Sequence, residues 1–165
     1  MTSEDRVYKT LRLYIKSRSD IILHSGHPPS GKAYDLPLIP FKAGKLKRYH
    51  FDLIWQVGHT LIFQELKGAY GELQNDINKL REFKSLYPLE KIKTQMKRRV
   101  TKQDALLDVT AIALCVGCEN APTASIEPDF IVISVVDDLP VVSFGSDIEI
   151  AVREAILYAL FGSPC

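Results

Sequence analysis

Apolar residues recur at helical spacing from the start of the chain. Val7, Leu11, Tyr14 and Ile15 form one stripe, and Thr2 or Ser3 is placed to cap a helix running to about residue 17. Residues 21–23 suit a short strand, while 25–40, rich in Pro, Gly and Ser, predict a long loop of the kind that often carries function. Two runs, 49–57 and 60–67, predict strands, and Gly58-His59 between them suits a two-residue hairpin turn. Residues 68–71 break the pattern. Leu73, Ile77, Leu80 and Tyr87 then return to helical spacing as far as Pro88, and a basic helical segment follows over 89–100. Residues 109–116 and 130–136 predict buried strands, with 140–144 as an edge partner to the second. Ser146 or Asp147 is placed to cap a last helix that runs through Phe161 and is apolar on most of its surface. The order predicts one mixed α/β domain over 1–165, a central sheet flanked by helices.

The hairpin carries the chemistry. With Gly58 and His59 as turn residues, opposed positions sum to 117, so Asp52 faces Glu65 and His50 faces Lys67. Strand side chains alternate, which puts these four on one face. Directly opposed Cβ atoms lie about 5 Å apart, where two carboxylates repel. The same face turns apolar toward the turn through Ile54, Leu61 and Phe63. A divalent cation between the carboxylates relieves the conflict. Hard cations such as Mg²⁺ or Mn²⁺ take oxygen ligands, and Asp52, Glu65 and the backbone carbonyl of Leu66 supply three. Lys67 beside Glu65 is then placed to orient a water or to neutralise charge on a phosphoryl group. His50 and Gln74 are candidates to support the ligands or the substrate. A cross-strand ion pair on an exposed hairpin is the structural alternative, and it leaves the facing carboxylates unexplained.

The net charge of +1 conceals an asymmetry. Residues 1–102 hold 20 Lys and Arg against 10 Asp and Glu; residues 103–165 hold Arg153 against 10 acids. A basic half that contains the carboxylates suggests a polyanionic substrate. Lys45, Lys47 and Arg48, just before the first hairpin strand, and Lys97, Arg98 and Arg99 are the candidate nucleic-acid contacts. The second group belongs to a longer run that includes Lys91, Lys93 and Lys102, preceded by Lys79, Arg81 and Lys84; a solvated helix face explains such a run equally well. No stretch nears the roughly 20 apolar residues of a membrane span. The first residues lack the apolar core of a signal peptide, and three cysteines do not make a disulfide framework. The expectation is a cytoplasmic protein with no membrane and no organic cofactor. Cys115-Val-Gly-Cys118 and His24-Ser-Gly-His27 form a four-ligand zinc site only if they meet in space.

Asp52 followed by Glu65-Leu66-Lys67 resembles the D…(D/E)-x-K signature of the PD-(D/E)XK nuclease superfamily. A first helix, a hairpin bearing the signature, a helix after the Lys and a further strand are similar to that family's restriction-endonuclease-like αβββαβ core, over roughly residues 2–116. The resemblance implies Mg²⁺- or Mn²⁺-dependent hydrolysis of phosphodiester bonds, DNA before RNA, by an endonuclease sooner than an exonuclease. It also implies that an acid on the first helix joins the metal site, with Glu4 the candidate and Asp5 its rival. The chain departs from the pattern in having Phe51 rather than Pro before Asp52. Asn78 stands four positions after Gln74, where the helicase-associated branch has Tyr. The rival function is a catalytically silent nucleic-acid-binding or assembly module on the same fold. Finally, Ile148, Val152, Ala155, Ile156, Ala159 and Leu160 make an apolar stripe on the last helix, with Ile150, Leu157, Tyr158 and Phe161 around it. That excess predicts a homodimer.

Overall fold

A computed structural model describes residues 2–26, 35–38, 47–98, 102–122 and 125–162, with the backbone alone at 35–38, 47 and 48. Helix α1 (Ser3–Ser17) starts at a reciprocal cap: Asp5 N donates to Thr2 Oγ1 at 3.1 Å and Thr2 N donates to Asp5 Oδ2 at 3.2 Å. Two otherwise orphaned amides are satisfied at once. Val7, Tyr8, Leu11 and Ile15 form the buried stripe of this helix.

The strands that follow build a six-stranded sheet in the order β1 (Ile21–Ser25), β4 (Leu53–Val57), β5 (Thr60–Leu66), β6 (Ala111–Glu119), β7 (Phe130–Val136) and β8 (Leu139–Phe144). Its β5–β6 and β6–β7 pairs are parallel and the others antiparallel. Every residue of β5 is buried, as its place in the middle of a sheet covered on both faces requires. One face packs on α1 and α4 (Ile150–Phe161), through Leu53, Trp55, Ile62, Leu66, Cys115 and Ile131. The other packs on α2 (Gln74–Leu86) and α3 (Leu89–Lys97), through Ile54, Leu61, Phe63, Leu114 and Val116. The expected mixed α/β architecture, a central sheet flanked by helices, is what forms.

The hairpin register is the expected one where both strands run: Val57 pairs with Thr60 and Leu53 with Gln64, with Gly58 at φ 54° in the turn. The expected strand 49–57 is nevertheless two strands. β3 (Lys47–His50) pairs with β2 (Asp35–Leu38) in a separate ribbon, where His50 lies opposite Asp35 and not Lys67. The chain then bends at Phe51 and Asp52 before β4 begins. Phe51 is the cause, since it turns into an aromatic cluster with Tyr49, Phe63 and Phe83, at centroid distances of 6.1, 5.1 and 4.8 Å. β2 also lies inside the expected loop 25–40. The last helix begins two or three residues later than expected: Glu149 precedes it without a side-chain cap, and residues 146–148 form a turn closed by Ile148 N on Gly145 O.

Two details fix the approach of α1 to the end of β5. Glu119 N donates to Gly68 O at 3.1 Å, which holds residue 68 against β6. A Cβ on Gly68 would lie 2.9 Å from the Cβ of Ser3. Gly68→Ala is therefore expected to push the start of α1 away and to lower stability by about 1–3 kcal/mol, the usual cost of overpacking. Urea denaturation measures it; a change near zero would show that the helix start yields freely.

Candidate functional site

The site lies where β4 stops and β5 continues. Alternation along β5 sets which backbone groups are left open there. Lys67 N donates to Gly117 O at 3.0 Å, so residue 67 directs its backbone toward β6. Residue 66 then directs its amide and carbonyl to the opposite edge, which β4 has vacated. Asp52 fills that gap: its Oδ2 accepts from Leu66 N at 2.8 Å. By the same alternation the Leu66 carbonyl is directed to that edge as well.

Glu65, only 6 % exposed, faces Asp52 and is hydrogen-bonded to it. Burial first, then the charge of Asp52 and the hydrogen bond between the two carboxyls, push the Glu65 pKa up to about 9. The ammonium of Lys79, in contact with Glu65 Oε1, opposes that shift without cancelling it. Glu65 is therefore held protonated at neutral pH. Lys67 stands between acids from both helical layers, 3.8 Å from Glu4 of α1 and 3.9 Å from Asp76 of α2. Partial burial pulls its pKa down, but Asp76, Glu4, Asp52 and Glu65 together outweigh burial and hold it above the ordinary lysine value. Asp76 is raised by its own burial, against the pull of Lys67 and Lys79.

The structure thus brings Glu4, Asp52, Glu65 and Lys67 into one cluster. Of the two acids on α1, Glu4 reaches Lys67 while Asp5 is engaged in capping Thr2. The side chain of His50 is exposed, and its contribution is its backbone carbonyl, which accepts from Lys79. Gln74 is exposed at the start of α2, where its Nε2 donates to Asn78 Oδ1 at 3.1 Å. Lys97 and Arg98 are exposed at the end of α3. Lys47 and Arg48 lie on β3, opposite Leu38 and Pro37. Lys45 and Arg99 fall outside the described residues.

Three residues of the cluster were not expected. Asp76 and Lys79 lie one turn apart on α2, flanking the apolar positions Ile77, Leu80 and Phe83. Charges bordering an apolar stripe just after Glu65-Leu66-Lys67 are the signal that points to them. Tyr8, one turn after Glu4, has a buried hydroxyl with no hydrogen-bond partner among the described residues, and burial pushes its pKa up to about 12, with Asp52 adding to the effect.

The basic run does not act as a unit. Arg81 is held by Asp129 and Glu127, at 2.6 and 2.9 Å, and Lys93 is buried with its Nζ on Val109 O at 3.0 Å. The zinc arrangement fails on strand geometry. Cys115 and Cys118 are three apart in β6 and therefore project to opposite faces of the sheet, each into a different core. His24 bonds to Gln56 Oε1 at 2.8 Å, and His27 is outside the described residues. Among the described residues, no group of three or more His, Cys, Asp or Glu side chains is arranged to hold a metal ion. The set at the end of β5 offers the two carboxyls of Asp52 and Glu65 and the backbone carbonyl of Leu66. That donor set fits a hard divalent cation taking its remaining ligands from water. No family model matches the chain, and no curated protein or solved structure matches it significantly.

Glu65 sets a pH dependence of stability. In the folded protein it keeps its proton up to about 9, whereas its ordinary value is 4.5, so between these limits the folded state binds a proton that the unfolded chain has released. In metal-free protein this contribution is complete below about 4.5 and is lost as pH rises toward about 9. Urea midpoints across that range should fall for the wild type and fall less steeply for Glu65→Gln. Equal slopes would show that Glu65 is charged in the folded protein.

Proposed function

We propose that this chain is a metal-dependent nuclease of the PD-(D/E)XK type that hydrolyses DNA. The observation that carries the proposal is the buried, facing pair of Asp52 and Glu65 at the open edge of β5, with Lys67 beside it. The order α1, β1, β4, β5, α2, β6 supports the resemblance, since it sets the hairpin and its acids between a first helix and a parallel strand. Asp52, Glu65 and the Leu66 carbonyl would hold Mg²⁺ or Mn²⁺, with Glu4 near enough to Lys67 to belong to the same charge cluster. When bound, the cation supplies charge stabilisation at the phosphoryl group. The protein's own part is positional. Leu66 N fixes one oxygen of Asp52, burial restricts Glu65, and Glu4 and Asp76 flank the ammonium of Lys67, whose side chain is 35 % exposed. There it can donate to a non-bridging phosphate oxygen or orient the attacking water. Lys97 and Arg98, with Lys45, Lys47, Arg48 and Arg99, are proposed to contact the phosphate backbone and set affinity rather than sequence preference.

Digestion of plasmid, single-stranded and branched DNA with Mg²⁺ or Mn²⁺ tests the reading. Cleavage is expected, and Asp52→Asn, Glu65→Gln and Lys67→Ala should each slow it by about 100-fold or more, the scale of losing one preorganised charge-stabilising group. Mg²⁺ should raise the Tm of the wild type and not that of the Asp52→Asn, Glu65→Gln double variant. DNA binding without cleavage in either metal would instead make the chain a binding module.

A homodimer is proposed on the outer apolar groups of α4 and not on its main stripe. Ile156, Ala159 and Leu160 are buried in the chain's own core, and Ile148 and Val152 pack against that core. The apolar groups left outward on α4 are Ile150, 72 % exposed, with Leu157, Tyr158 and Phe161. Light scattering at micromolar concentration should give twice the chain mass, and Leu157→Lys with Tyr158→Lys should return it to the monomer mass. A wild-type monomer would refute the dimer.

A further inference from the structure

Lys79 is held on three sides. Its ammonium contacts Glu65 Oε1 and the carbonyl oxygen of His50, and it lies 4.9 Å from the centroid of the Phe51 ring. Two oxygen acceptors and an aromatic face make a cation-binding corner. The corner is built by the bend at Phe51 and Asp52, which turns the His50 carbonyl and the Phe51 ring toward the carboxyl that β5 presents. The lysine reaches it from α2, fixed in register by Ile77, Leu80 and Phe83 in the core below. Lys67 differs, since its two partners stand at 3.8 and 3.9 Å, beyond hydrogen-bonding distance.

We propose that Lys79 is a tethered counter-cation, bound at Glu65 in the place that a divalent ion must win before the site is loaded. The inference rests on the nuclease reading of the same carboxyls and adds what regulates them. Lys79 is a positioning residue. Its ammonium keeps Glu65 turned toward the β4 edge when metal is scarce and opposes the arriving charge of the ion. The side chain is 34 % exposed, so the displaced ammonium has solvent to move into. Metal affinity is therefore set by a residue that is not a ligand.

Calorimetric titration with Mn²⁺ alone, at pH 8, tests this on the wild type and on Lys79→Met, Lys79→Gln and Lys79→Arg. Removing the charge should tighten Mn²⁺ binding by roughly tenfold, the size of one like-charge repulsion across a hydrated site. Lys79→Arg, which keeps the cation, should stay within a fewfold of the wild type. Circular dichroism identifies any variant that does not fold, and the Met and Gln forms give two independent chances to read the effect. If the wild type binds Mn²⁺ and both neutral variants bind it equally or more weakly, the counter-cation role is overturned and the nuclease reading stands. If Lys79→Arg tightens binding as much as Lys79→Met, charge is not the cause and the role is likewise overturned. If the wild type binds no Mn²⁺, the metal site itself fails and this inference with it.

Discussion

A carboxyl 6 % exposed beside a second carboxyl is the constraint around which this end of the molecule is arranged. Burial alone disfavours the charged form of Glu65, and Asp52 opposite it adds repulsion. The chain could have avoided both by continuing β4 as a regular strand with an apolar residue at 52. Instead it ends the ladder at Leu53 and turns Asp52 into the gap, where Leu66 N binds one of its oxygens. The interruption of one strand thus supplies the room for the acids and the hydrogen bond that holds one of them. Phe51 stabilises that interruption by burying its ring among Tyr49, Phe63 and Phe83.

The sheet delivers charge to this point from both layers. α1 brings Glu4 and Tyr8 from one face; α2 brings Asp76 and Lys79 from the other. They meet because β5 is central, flanked by β4 and β6, with a helical layer on either face. Gly68 permits the close approach on the α1 side, and the capping box of Thr2 and Asp5 fixes where that helix starts. Four acids and two lysines are consequently brought together from α1, the bend before β4, the end of β5 and α2, and the site depends on the whole fold being in place.

Much of this was legible in the sequence because it follows from short-range rules. A two-residue turn fixes hairpin register, register fixes which side chains face, and so Gly58-His59 was enough to bring Asp52 and Glu65 together. The helical stripes of α1 and α2 and the buried strand over 130–136 follow from period alone. What escaped depends on tertiary packing. Nothing local says that the run through residues 49–57 bends at Phe51, since the residues on either side alternate well enough for one strand; the aromatic cluster that causes the bend is assembled from distant segments. Asp76 and Lys79 looked like the solvent side of an amphipathic helix, and only the position of α2 over the end of β5 turns them inward. The apolar stripe of α4 was visible, but whether a stripe faces its own sheet or another chain is decided by what else covers that sheet. The two cysteines of the CxxC are a further case. In a strand, three positions apart means opposite faces, but the expected strand stopped at 116, and only its extension to Glu119 separates Cys115 from Cys118.

The two lysines of the cluster carry the same charge and differ in what their surroundings allow. Lys67 is surrounded by four acids, and the two nearest to it stand at a distance where attraction persists and hydrogen bonds do not. Lys79 has two acceptors in contact and a ring beside it, so two of its three donors are already engaged. Sequence position does not separate these roles, because both residues follow Glu65 closely and both lie in a basic half of the chain. Geometry separates them. On the proposed nuclease reading, the lysine two residues after the buried acid, at the end of β5, would serve the substrate. The lysine one helical turn into the next layer is positioned to serve the acid itself.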